Sequence, residues 1–237
     1  MVLLPDAGRI LEIGCGTGED ALQFAERGFH VVATDNSTAM LQVTRRKLIN
    51  ARETVRDRVQ VEMLDASDPG SANLLFEQDF DLVFSNFGAL NCVSDLRPML
   101  DYAHNHLKPN GYVAFTIMGR FCAWEILGFA ARADLRRVRR RWSGQSEWSV
   151  NGLKQDVWFP SVRAIKRIAR PKFMPVAVYG IGALLPTSEF FGACERWPTL
   201  FRQLVRVERV LAPFWPVNRI SDHFLIVLQR CESMTNK

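Results

Sequence analysis

A chain of 237 residues, 48% apolar and 23% charged, has the composition of a soluble globular protein and enough length to bury a sizeable core. No apolar run reaches the ~18 residues that cross a bilayer, and the start, "MVLLPDAGR", has neither the basic opening nor the apolar stretch of a secretory signal. The net charge of +5 is unevenly spread, with 10 Lys and Arg against 16 Asp and Glu in residues 1–118, and 20 against 9 thereafter.

In chain order, "RILEIGC" is a short apolar run ending in glycine and predicts a buried strand. "EDALQFAERG" predicts a helix stopped by Gly28. "HVVATD" is the next strand, and "STAMLQVTRRKLINAR" an amphipathic helix with Ser37 as its N-cap. "RVQVEMLD" and "FDLVFSNF" are strands; "SDLRPMLDYAHNHL" is a helix; and the turn "KPNG" leads to a fifth strand, "YVAFTIM". Strands alternating with helices predict a parallel sheet covered on both faces. After Met118 the pattern loosens. "FCAWEILGFAARADLRRVRRRW" reads as one helix, "SEWSVNGLKQDVWFP" as a strand or hairpin and "SVRAIKRIA" as a short helix. "MPVAVYGIGALL" reads as a strand, "EFFGACERWPTLFRQLVRVERVL" as helical with a break at Pro198, and "DHFLIVLQR" as the last strand.

The first strand-to-helix turn of a parallel sheet aims backbone N–H groups and a helix N-terminus at a ligand. Here it carries Gly14, Gly16 and Gly18 around Cys15, followed by Glu19 and Asp20. The dinucleotide fingerprint G-x-G-x-x-G needs glycine at position 19, and the phosphate loop needs G-K-[ST]; both are absent. Glycines allow close approach, while Glu12, Glu19 and Asp20 suit a cationic ligand without phosphate. Asp35, at the end of the second strand, is placed to accept from a ribose diol. Asp65 ends the third strand, and Ser85-Asn86-Phe87 ends the fourth, beside the expected crevice.

"LEIGCGTGEDAL", "VVATDNSTAML", "MLDASD", "FDLVFSNFGALNCV" and "LKPNGYVAFTIM", in register over residues 9–118, together resemble the Rossmann-like (class I) S-adenosylmethionine-dependent methyltransferases, in particular their small-molecule branch. The resemblance implies a doubly wound α/β fold with seven strands, mostly parallel with an antiparallel terminal strand. It implies a single domain, 1–237: a cofactor-binding core (1–118), an acceptor-side elaboration with helical cap insertions (119–222) and a terminal strand (223–230). It also implies S-adenosylmethionine as cofactor and S-adenosylhomocysteine as product. The cofactor-binding residues carried over are Gly14, Cys15, Gly16, Gly18, Asp35, Asn36, Met40, Asp65, Ala66, Asn86 and Phe87. The family has a helical segment before its first strand where only Met1–Gly8 stand here; the expectation is a truncated cofactor cover, or a pocket closed by the second half.

Within the second half, Arg120, Phe121 and Trp124 follow the fifth strand and are the expected acceptor-side residues. The arginines Arg132, Arg136, Arg137, Arg139, Arg140 and Arg141 are a solvated face, or else attract an anionic or membrane-bound acceptor. Nucleic acid is disfavoured, since no recognised RNA-binding module accompanies the arginines and "SNFG" lacks the proline-fixed [D/N]-P-P-[Y/F/W] turn. Five cysteines (Cys15, Cys92, Cys122, Cys194, Cys231), odd in number and without C-x-x-C, speak against a disulfide framework or a metal site and for the cytoplasm. No catalytic base is assigned. His104 and His106 fall on a helix surface, Glu125 and Tyr179 are candidates, and Asp222-His223 is expected away from the cofactor or at the cap edge. The function expected is methyl transfer to a small or amphipathic acceptor at O, N or C by in-line displacement. The alternatives are a methyltransferase-like binding or interaction module with little activity and, third, RNA methylation.

Overall fold

The computed structural model describes residues 8–71, 80–150, 153–185, 192 and 196–231. Its main sheet is built from seven strands: β1 (Arg9–Ile13), β2 (His30–Asp35), β3 (Val59–Met63), β4 (Phe80–Ser85), β5 (Leu107–Met118), β8 (Phe173–Ile181) and β9 (His223–Arg230). They lie in the order β3-β2-β1-β4-β5-β9-β8. The first five are parallel, and β9 runs antiparallel to both β5 and β8. The expected sheet is therefore present. The last strand, antiparallel as expected, is threaded between β5 and β8. A separate hairpin pairs β6 (Gln145–Val150) with β7 (Leu153–Trp158).

Strand side chains alternate between two cores. Leu11, Ile13, Val83, Val113, Phe115, Ile117, Ile226 and Leu228 face one way. They pack on α4 (Arg97–His106) through Met99, Leu100 and Ala103, and on α7 (Val162–Ala169) through Val162, Ile165 and Ala169. Ile10, Val31, Ala33, Leu82 and Ala114 face the other way, against Ala21 of α1 (Glu19–Glu26) and Leu41 of α2 (Thr38–Ile49). Each fully buried Leu, Ile or Phe contributes about 1.5–3 kcal/mol, so this two-sided burial fixes the strand register. A short α3 (Glu53–Arg56) precedes β3.

The arginine-rich stretch is not one helix. It forms α5 (Ala123–Ala130) and a single turn, α6 (Leu135–Val138), separated by Ala133 at φ +56°. Asp134 breaks the run by accepting from the Arg137 N–H at 3.1 Å and so starting a second helix. Further on, α8 (Pro198–Leu211) begins at the expected proline break, and one turn, α9 (Val217–Ile220), leads towards β9. The "EFF" and "ACE" parts of the stretch before Pro198 lie outside the described residues. No helix among the described residues is long and apolar enough to cross a membrane.

Candidate active site

The glycine loop joins β1 to α1 with Gly14, Gly16 and Gly18 at φ +71°, +53° and +79°, a backbone region costly to side chains. Two of these glycines also lack room. A Cβ on Gly14 would stand 2.1 Å from that of Ala89, and one on Gly18 would stand 2.5 Å from Thr44 Cγ2. Around Gly16 there is open space, so only there does the missing side chain leave room for a ligand. Neighbouring hydroxyls hold the loop. Thr34 donates to Glu12 O at 2.7 Å, Thr44 to Gly16 O at 3.0 Å and Ser85 to Ile13 O at 2.8 Å.

Asp35, closing β2, accepts from the Gly16 N–H at 2.9 Å and from the Ser37 N–H at 2.8 Å. A carboxylate has about four acceptor positions, so two remain for a ligand. Asp65, just past β3, accepts from the Ser67 N–H and hydroxyl at 2.8 and 2.7 Å. After β4 the chain turns sharply through Phe87 (φ +42°) and Gly88 (φ +90°). A non-glycine residue in this region is strained and belongs to the kind of outlier found at binding sites. The Phe87 ring is 68% exposed.

These pieces meet in a cavity of about 730 Å³ at the carboxyl ends of the parallel strands. Gly14, Gly16, Asp35, Asn36, Met40, Asp65, Ala66 and Phe87 line it, together with Ser37, Gly88, Cys92, Val93 and Met118. Three of the carried-over residues do not. Cys15 is buried among Ile10, Ala21 and Leu41; Gly18 is the N-cap of α1; and Asn86 donates to Asp20 Oδ2 at 2.8 Å. They shape the loop from behind. A hollow of about 810 Å³ between α1, α2 and α3, lined by Leu22, Glu26, Lys47 and Arg52, includes none of the glycine-loop residues.

The loop acids also differ from expectation. Glu19 pairs with Lys47, Asp20 takes the Asn86 amide, and Glu12 is buried with no partner on Oε2. Burial, then the charges of Asp20 and Asp35, push the Glu12 carboxyl up to about 8. Of the acids near the loop, Asp35 is the one that reaches the cavity.

On the acceptor side the sequence expectation is corrected: Arg120, Phe121 and Trp124 do not line the cavity. Arg120 packs its guanidinium onto the turn at Gly144 (φ +88°), Phe121 faces Trp142, and Trp124 faces Phe201. The hairpin lines the cavity instead, through Trp148, Gln155 and Val157. Asn91 docks that hairpin. It is fully buried, donates to Met118 O at 3.2 Å and Trp158 O at 2.6 Å, and accepts from the Met118 N–H at 2.9 Å.

Glu125, a candidate base, is 3% exposed and ion-paired with Arg140 and Arg141. It is not available to an acceptor. Cys122, Glu125 and Asp222 lie close enough together to hold a metal ion, but the Arg141 guanidinium already bridges the two carboxylates. His104 packs edge-on against Phe173, and His106 stacks on Tyr102.

Residues 11–113, which carry the loop, both strand-end acids and the Phe87 turn, match the family model described as "Methyltransferase domain". Over that stretch the chain is similar to the S-adenosylmethionine-dependent methyltransferases, and it shares their Rossmann-like fold. The chain is 41% identical over 111 residues to demethylmenaquinone methyltransferase of Clavibacter sepedonicus, covering 46% of the chain and 41% of that protein. It is 33% identical over 109 residues to malonyl-[acyl-carrier protein] O-methyltransferase of Salmonella typhimurium, covering 46% and 38%. The matched stretch thus spans about two-fifths of these curated relatives. In fold, the chain is similar to an S-adenosylmethionine-dependent methyltransferase from Mesorhizobium loti (TM-score 0.62, 20% identity, 96% of this chain and 94% of that one). It is also similar to the glycopeptide N-methyltransferase MtfA complexed with S-adenosylhomocysteine (TM-score 0.59, 15% identity, 96% and 84%).

Proposed function

We propose that this chain transfers a methyl group from S-adenosylmethionine to a small-molecule acceptor. The observation that carries the reading is the meeting of an open Gly16, an Asp35 with acceptor capacity to spare, Asp65 and Phe87 in the lining of a single cavity. The sulfonium, when bound, supplies an already activated methyl group. When the cofactor is bound, Asp35 would accept from its ribose hydroxyls, Asp65 and Ala66 would hold its adenine, and the Gly14–Gly16 backbone would hold its methionine part. The chain's own task is to align the acceptor with the methyl carbon and the sulfur, exclude water and, for an O–H or N–H acceptor, remove a proton.

The acceptor-side wall of Phe87, Val93, Met118, Trp148 and Val157 is apolar, with Gln155 and Cys92 as its polar contribution. It suits an acceptor that presents an apolar or planar body. Calorimetric titration with S-adenosylhomocysteine tests the cofactor reading. Saturable one-to-one binding is expected, weakened about ten- to a hundredfold by Asp35→Ala, the loss of one or two charge-assisted hydrogen bonds. Absence of binding to the folded chain would sink it.

A further inference from the structure

We propose that His223 is the general base that takes the acceptor's proton, with Asp222 and Arg141 as its positioning residues. The proposal rests on the methyl-transfer reading above. Because β9 runs antiparallel, it enters the sheet where the parallel strands leave it. His223 therefore stands opposite Met118, the last residue of β5. Met118 and Phe87 both line the cavity, and the imidazole packs edge-on against the Phe87 ring, with centroids 5.6 Å apart. His223 is not itself among the lining residues but stands against two of them, so the pair expected away from the cofactor or at the cap edge lies beside the cavity.

The orientation of the ring is built from behind. Nδ1 of His223 lies 3.1 Å from Asp222 Oδ2, and Arg141 Nη2 donates to Asp222 Oδ1 at 2.7 Å. Asp222 is itself fixed in the main chain: its carbonyl accepts from the Gly119 N–H at 3.0 Å and from Arg141 Nη1 at 3.1 Å, and its N–H donates to Gly182 O. Arg141 is 4% exposed, and its charge is answered by Glu125 as well as by Asp222. The remaining titratable group beside the cluster, the Cys122 thiol, is pushed up to about 12 by burial and stays neutral. Burial also works against an ionised Asp222, but the hydrogen bond from His223 and the charge of Arg141 outweigh it and hold the carboxyl below its ordinary value.

An ionised acceptor at Nδ1 sets the neutral ring as the Nδ1–H tautomer and leaves the lone pair on Nε2. Among the described residues nothing hydrogen-bonds Nε2. A buried arginine with two carboxylates is a poor way to gain stability, since apolar side chains of equal volume do as well or better. It is an effective way to orient a histidine.

The step balances. As the acceptor oxygen or nitrogen bonds to the methyl carbon, the carbon–sulfur bond breaks and its electron pair stays on sulfur, leaving the neutral thioether. The acceptor's proton passes to Nε2. The positive charge lost at sulfur reappears on the imidazolium, where Asp222 stabilises it.

The test uses the whole chain, which contains four histidines. Long-range ¹H–¹⁵N correlation of the imidazoles, with His223 assigned by its loss in His223→Gln, is expected to show the Nδ1–H tautomer in the wild type. In the nearly isosteric Asp222→Asn, the proton is expected to move to Nε2. A wild-type Nε2–H tautomer overturns the proposal. Independently, carbethoxylation of His223 by diethyl pyrocarbonate, mapped by peptide mass spectrometry, is expected to slow roughly tenfold with sinefungin at ten times its Kd, since the site is then open about a tenth of the time. An unchanged rate under confirmed sinefungin binding overturns it as well. Failure of sinefungin and S-adenosylhomocysteine to bind would sink the cofactor reading instead, and the tautomer would still be readable in the ligand-free protein.

Discussion

At the residue scale, the three loop glycines were visible in the sequence as equivalent, but the structure separates them by what surrounds each one. Gly14→Ala drives a Cβ into Ala89, and Gly18→Ala drives one into Thr44; both are expected to destabilise the fold. Gly16→Ala meets nothing within 4 Å. It is expected to cost only the left-handed backbone penalty, about 1–2 kcal/mol, yet to weaken S-adenosylhomocysteine binding by roughly tenfold or more, about 1.4 kcal/mol. Thermal melting set beside calorimetric Kd values for the three variants separates these outcomes. Glu12 shows the limit of the sequence. Its place in an acidic loop is obvious, but its burial is not, and burial inverts its role from charged contact to neutral support. Its folded value of about 8 stands above the 4.5 of a solvent-exposed glutamate. Across that window the unfolded chain releases a proton that the folded chain keeps, so this group's contribution falls as pH rises from 4.5 and is lost above about 8. Glu12→Gln, which cannot ionise, is expected to gain on the wild type steadily over this range in urea midpoints measured between pH 5 and 9.

At the element scale, most strand and helix positions in residues 9–118 were legible because period-2 and period-3.6 patterns follow from which face is buried; the one-turn α3 and the start of β5 at Leu107, where a turn was expected at 108–111, were not. The hairpin β6–β7 was legible as a shape and not as a wall of the site. What carries it to the cavity is one buried amide, Asn91, whose three hydrogen bonds bridge the segment after β4, the end of β5 and the end of β7. Nothing local in the sequence marks Asn91, since its partners are backbone groups 27 and 67 residues away. Asn91→Ala leaves the Met118 N–H and two carbonyls without their partner. Buried groups of this kind cost about 1–3 kcal/mol each, so the variant is expected to lose about 2–4 kcal/mol in chemical denaturation, with Trp148 fluorescence reporting the detached hairpin.

For the whole molecule, the arginine-rich stretch read as a solvated face or as a means of attracting an anionic acceptor, because composition alone does not show which side chains turn inward. The break at Asp134 turns it, and Arg141 ends buried between Glu125 of α5 and Asp222 just before β9. One guanidinium therefore fastens the helical elaboration to the central sheet. Arg141→Leu leaves Asp222 without its cation and is expected to cost about 3–5 kcal/mol, as breaking a buried pair does; Arg141→Lys, which keeps the charge but loses the planar fork, is expected to fall between the two. Urea unfolding at neutral pH measures both.

The strand order has a consequence for how the chain is made. β9 separates β5 from β8, although both precede it in the sequence. During synthesis, the long strand carrying Val113, Phe115 and Ile117 emerges with one hydrogen-bonding edge open, and β8 follows with another. Neither can be covered until residues 223–230 leave the ribosome. An open edge invites pairing with a neighbouring nascent chain, so the docking of β9 is expected to remove that liability from β5, while β8 keeps its outer edge at the margin of the sheet.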